Sequence, residues 1–236
     1  MEFDFIVFDV ETQLSANEVG GWSNIKDMKI ACIVTWDSRD NQYRVYSENG
    51  IKECLKQMQE VHYVVGYNSE HFDFTVMSGY TEIDLESIKS FDILKHIEKK
   101  LGFKVSLNSC AEATLNEKKS ADGLKSIQWW KEYSQALNGI KQQNIIQKKC
   151  YEQMQENPDN DDYKTALKTG EKVLLDLQLK AKEKIMKIVE YCKQDVKVTK
   201  NLFLFGKENG YIKYINKNTK RANKIIVEFC DAEIPF

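Results

Sequence analysis

The chain opens on an apolar run, Phe3-Asp4-Phe5-Ile6-Val7-Phe8-Asp9-Val10, whose β-branched and aromatic residues predict a buried strand ending at Glu11 and Thr12. Met28 to Trp36 and Gln42 to Ser47 predict a second and a third strand, joined by the polar turn Asp37-Ser38-Arg39-Asp40-Asn41. With the first strand they should form an antiparallel meander. Ile51, Leu55 and Met58 recur at helical spacing, Val61 to Gly66 returns to a strand pattern, and Phe72 to Met77 starts another helix. Strands paired first as hairpins and then connected through helices predict an α/β domain with a mixed sheet covered on both faces.

Beyond Tyr133 the pattern changes. Tyr133, Leu137, Ile140, Tyr151 and Met154 lie close to a coiled-coil repeat, and Tyr163, Leu167, Leu174, Leu177 and Ala181 follow another. Between them, Glu156-Asn157-Pro158-Asp159-Asn160-Asp161-Asp162 is a strong turn, because proline blocks helix continuation and the acids open the next helix. The segment predicts an antiparallel helical hairpin, with Asn144, Gln147 and Gly170 at expected core positions arguing against a rigid seam. A further helix runs from Ile185 through Phe205 and ends over Gly206 to Gly210. Tyr211 to Tyr214 and Ile225 to Phe229 predict a closing β-hairpin across the basic turn Lys217 to Lys224.

Three blocks carry candidate chemistry. On a strand, side chains two apart share a face, so Asp9 and Glu11 point the same way with a spacing of ~7 Å. Two carboxylates on a buried strand end repel unless a partner is supplied, and a divalent cation is the simplest one. Asp73 stands where a helix begins, a position that suits either a cap or a further acid of the same site. Tyr191 and Asp195, four apart on a helix, share one face and place a phenol beside an acid.

In their order, Phe8-Asp9-Val10-Glu11-Thr12, then Gly66-Tyr67-Asn68 with Phe72-Asp73, then Tyr191-x-x-x-Asp195, these blocks resemble the three motifs of the DEDD exonuclease superfamily in its tyrosine-bearing branch. Phe91 to Leu94, Leu101 to Leu107, Lys119 to Leu124 and Trp129 to Glu132 resemble ribonuclease-H-like exonuclease domains of bacteria, archaea and viruses. The resemblance implies a ribonuclease-H-like fold and 3′–5′ hydrolysis of phosphodiesters at two Mg²⁺ or Mn²⁺ ions about 4 Å apart. Asp9 would bridge both ions, Glu11 and Asp195 would hold the ion carrying the attacking water, and Asp73 would support the second. All four are hard oxygen ligands, which suits those metals over zinc. Tyr191 would orient the water, and Thr12, Asn68 and Phe72 are candidate substrate contacts. Asn68 also fits an Asx turn closing the strand; Asp92 fits either a supporting acid or a helix cap. Residues 134–184 depart from the family pattern and read as an insertion, leaving 1–133 and 185–236 as the exonuclease domain.

The 236 residues suffice for one elaborated α/β domain. A net charge of -2 lacks the strong positive excess of many nucleic-acid binders, so basic residues must be localised or the substrate held by metal and a few nucleotides, which fits a short single-stranded end better than a wrapped duplex. The resemblance implies 3′ ends, expected to be those of single-stranded DNA. Six scattered cysteines without a Cys-x-x-Cys pair read as free thiols of a reducing compartment, hence the cytoplasm, and no apolar run is long enough for a membrane span. Two rival readings stand beside the exonuclease. One is a nucleic-acid-binding or scaffold protein engaging a partner, or a second copy, through 134–184; the other is a structure-specific endonuclease. For the hairpin, a bare spacer and a clamp over the strand remain open.

Overall fold

The computed structural model describes residues 3–81, 85–117 and 123–229. Its sheet holds β1 (Phe5–Thr12), β2 (Ile30–Asp37), β3 (Gln42–Tyr46), β4 (Tyr63–Gly66) and β5 (Ser90–Asp92) in the order β3-β2-β1-β4-β5. β1, β2 and β3 form the expected antiparallel meander, while β4 and β5 lie parallel to β1. β1 is therefore central, and its near-continuous apolar run has a cause. Phe5 and Val7 enter one core while Ile6, Phe8 and Val10 enter the other.

The second core is closed by α1 (Ile51–Gln59), through Ile51, Cys54, Leu55 and Met58, and by α2 (Asp73–Met77). The first is closed by α3 (Ile93–Leu101), α4 (Leu107–Leu115) and part of α6, which runs without a break from Asp161 to Asn209. Gly210 then adopts φ 68° and its N–H caps the Gly206 carbonyl, so the helix ends one turn later than Phe205, the end expected from the sequence. β6 (Tyr211–Ile215) and β7 (Ala222–Ile226) form a separate two-stranded sheet, with β7 starting and ending earlier than predicted. The free edge of β6 is satisfied by a helix: Ser109 Oγ and Thr114 Oγ1 of α4 bond the backbone of Ile215 and Lys213 at 2.8–3.1 Å.

α5 spans Gly123–Glu156 and packs antiparallel on α6. Glu132 meets Lys184 at 2.7 Å, Gly139 faces Leu177, Gly170 lies under Gln143 and Gln147, and Cys150 Sγ reaches the Tyr163 carbonyl at 3.5 Å. The seam on α6 follows Tyr163, Leu167, Gly170, Leu174, Leu177, Ala181 and Ile188, a 4-3 alternation. On α5 the expected seam is corrected twice. Tyr151 is 52% exposed and Cys150 takes its place, while Asn144 is exposed and Gln143 and Gln147 face the partner helix. A one-residue rotation accounts for both, since the stretch between the two ends of the seam has no apolar markers to hold the register. Nor is there a break in helix near residues 133 or 184: the same two helices that form the arm run on into the sheet domain.

Candidate active site

Asp9 and Glu11 project from the end of β1 toward α6, just before a bulge between Glu11 and Thr12 that turns the chain out of the sheet. Asp73, the first residue of α2, is 3% exposed, and its Oδ1 accepts the Val10 N–H at 2.9 Å. That bond ties α2 to β1 and fixes the carboxyl next to Asp9. Tyr191 and Asp195 face the same space from α6, both 6% exposed, with the Tyr191 ring edge-on to Trp129 of α5 at 6.3 Å. All five line one cavity of about 480 Å³, together with Thr12, Phe72, Trp22 and Leu124. Segments separated by more than a hundred residues thus meet at the carboxyl ends of β1 and β4.

The electrostatics are those of an anionic pocket. Burial, then the charge of Asp9, then those of Cys32 and Asp195, push the Glu11 carboxyl well above its usual range, and only the nearby Ser126 hydroxyl acts in the other direction. Burial and Asp9 likewise raise Asp73 well above the ordinary value, against the Val10 N–H. Asp73, Asp9, Glu11 and Asp195 therefore form a row in which each acid feels the next. Among the described residues no Lys or Arg forms an ion pair with Glu11 or Asp73. Nucleases of this acidic kind generally use divalent metals, and a divalent cation would offset the charge gathered here.

Among the described residues, Asp9, Glu11 and Cys192 have ligand atoms that all lie within 4.8 Å of one another. Cys192 Sγ donates toward the Asp9 carbonyl and Asp9 Oδ2, both at 3.3 Å, and burial lifts its thiol well above the usual range. The protonated thiol is a weak donor behind Asp9.

Other expected contacts divide. Thr12 and Phe72 line the cavity, although the Thr12 hydroxyl is engaged with the Leu14 carbonyl at 3.0 Å. Asn68 does not line it. It sits at φ 64° and faces a second cavity with Asp92 and Lys95, its N–H bonded to Asp92 Oδ1 at 2.8 Å; the Glu70 N–H that an Asx turn would take is bonded to Asp92 Oδ2 instead, so Asp92 and not the Asn68 side chain holds the turn. Asp92 caps α3 by accepting from Leu94 N and Lys95 N, and also holds the Glu70 N–H; it serves the 68–70 loop, and its charge adds to the upward shift of Asp73. His71 is exposed. The Lys119 to Asp122 stretch lies outside the described residues.

Of three further residues of the cavity region, Trp22 and Ser126 carried no sequence signal, and Leu124 entered only as the end of the Lys119 to Leu124 block. Trp22, 68% exposed, follows Gly20 and Gly21 at φ 84° and 125° and meets Phe72 edge-on at 6.4 Å. Leu124, 67% exposed, stands at the mouth on the α5 side, and Ser126 lies fully buried near Glu11. Their place at the cavity follows from which elements meet, not from local spacing.

Strand order, the two covered faces and an acidic cleft at the end of the central strand narrow the fold to few families, and the family model described as RNase_H superfamily matches residues 6–147. The chain belongs to the RNase H superfamily. Comparison with curated proteins finds no match. The RNase H match includes Asp9, Glu11 and Asp73 and ends before Tyr191 and Asp195. RNase H membership supports nuclease chemistry on nucleic acid, in a superfamily whose nucleases generally use divalent metals. Among the described residues, no helix is long and apolar enough to cross a membrane.

Proposed function

We propose that the protein is a divalent-metal-dependent 3′–5′ exonuclease of the tyrosine-bearing DEDD type, acting on single-stranded DNA ends. The observation that carries this reading is the meeting of Asp9, Glu11, Asp73, Tyr191 and Asp195 in one cavity. Bound Mg²⁺ or Mn²⁺, two ions in all, would supply charge neutralisation and an acidified water. Asp9, central in the row, is suited to hold both ions. Glu11 and Asp195 would hold the one on the water side, and Asp73 the other. Tyr191, its ring edge-on to Trp129, would orient the water.

The exposed Trp22 face and Phe72 at the mouth suit an unpaired base, because aromatic stacking accepts every base and requires it to be out of a duplex. With Mg²⁺ and a 5′-labelled single strand, the protein should give a ladder shortening from the 3′ end and release mononucleotides. Asp9→Ala should reduce this to background. Products of several nucleotides at the earliest times would instead indicate the endonuclease. For 134–184, the exposed distal part of the hairpin supports a partner-docking or self-associating arm inserted into the exonuclease domain 1–133 and 185–236.

A further inference from the structure

Ser126, in the first turns of α5, is 0% exposed, and its hydroxyl makes no hydrogen bond among the described residues. A buried hydroxyl without a partner is unfavourable, and alanine would fill the same place without that cost. The hydroxyl nevertheless lies within reach of the Glu11 carboxylate, just outside good hydrogen-bonding geometry. Its neighbours Leu124 and Ile127 line the cavity itself. Asp9 already has a neutral donor behind it, the Cys192 thiol at 3.3 Å from Oδ2. Among the described residues Glu11 forms no ion pair with Lys or Arg, and a carboxylate that gives one oxygen to a cation still presents lone pairs on the other.

We propose that Ser126 is a positioning residue for the cation site, donating its hydroxyl hydrogen to the Glu11 oxygen turned away from the cation and so fixing the rotation of that carboxylate. The inference rests on the reading of the acidic row as a cation site. Donors behind a metal-binding carboxylate set its orientation and the affinity of the site. It follows that the root of the helical hairpin belongs to the active centre.

The test is a calorimetric titration of Mn²⁺ into the full chain without nucleic acid, for the wild type, Ser126→Ala and Ser126→Thr, with thermal melting of each metal-free protein. Ser126→Ala should bind Mn²⁺ about tenfold more weakly while melting at the same temperature or higher, and Ser126→Thr should keep most of the affinity. Equal affinity in Ser126→Ala overturns the proposal. So does a lowered metal-free melting temperature that accounts for the weaker binding, since Ser126 would then be holding the fold. A wild type that binds no Mn²⁺ overturns the cation site itself, a result distinct from either.

Discussion

At the residue scale, the acids make stability depend on pH in an unusual direction. Glu11 and Asp73 sit well above their ordinary values of 4.5 and 3.8, so the folded state keeps protons that the unfolded chain releases. The stabilisation from these two groups is complete below those ordinary values. It is lost as pH rises past them and through the raised folded values. In chelator the protein should therefore melt at a lower temperature at pH 8 than at pH 5, and Glu11→Gln should flatten that fall. Mg²⁺ binds the ionised acids and should recover most of the loss at pH 8 while doing little at pH 5. A chelated protein that melts higher at pH 8, with the same trend in Glu11→Gln, would contradict this account. Asp9 with Glu11 and Tyr191 with Asp195 were legible in the sequence because each pair lies on one element, two apart on a strand or four apart on a helix; Asp73, alone at the start of α2, was legible only from its place between those two blocks. Ser126, Trp22 and Cys192 were not, since their placement depends on which elements meet. Asn68 shows the converse: it stands within a motif-like block, yet its left-handed backbone turns the side chain to another cavity.

At the element scale, two glycines of α6 that look alike in sequence differ in what surrounds them. A Cβ at Gly206 would lie 2.3 Å from Phe229 Cδ2 and 3.3 Å from Ile212, and Phe229 is itself stacked on Phe203 at 5.8 Å. That ring cannot retreat without disturbing the core, so Gly206→Ala should destabilise by about 1–3 kcal/mol in denaturant unfolding. A Cβ at Gly170 would meet the amide nitrogens of Gln143 at 2.5 Å and Gln147 at 3.0 Å and the Gln147 Cγ at 3.2 Å, all on flexible side chains. There the helix-forming gain dominates, and Gly170→Ala should be neutral or stabilising by up to ~1 kcal/mol. Equal losses in both variants would mean that the hairpin seam is as tightly packed as the core. Sequence periodicity recovered the meander, α1, β4 and the hairpin turn because those elements have strong apolar markers. It missed the 3-10 segment Trp22–Met28, and it misplaced one face of α5, where the run Lys141, Gln142, Gln143 and Asn144 gives the repeat no apolar anchor.

At the scale of the whole molecule, the site and the arm share their helices. α6 carries the distal seam, then Tyr191 and Asp195, then the core residues Leu202 and Phe203, over 49 residues, a rod of roughly 70 Å. α5 begins beside Glu11 and ends at the tip. The arm therefore cannot be removed at 134 and 184 as though it were a separate insertion without cutting two continuous helices where Glu132 pairs with Lys184. A matched truncation respects the register: Gly139 faces Leu177, so joining the helices just beyond that pair by a loop of about 2–8 residues keeps both roots in place. Such a protein retains Ser126, Trp129, Tyr191 and Asp195 in their contacts. If the distal hairpin docks a partner, turnover of a short single-stranded oligonucleotide should stay within about twofold of wild type, a change below ~0.5 kcal/mol in the barrier. Association with a partner, or with a second copy in sedimentation, should be lost. If the distal hairpin instead clamps the strand, short-oligonucleotide turnover should persist while long strands are released after few cleavages, which product ladders under a competitor trap would record. A fall in short-oligonucleotide turnover despite unchanged Mn²⁺ affinity would show that the arm acts on the chemistry itself, and would defeat the division of labour between root and tip.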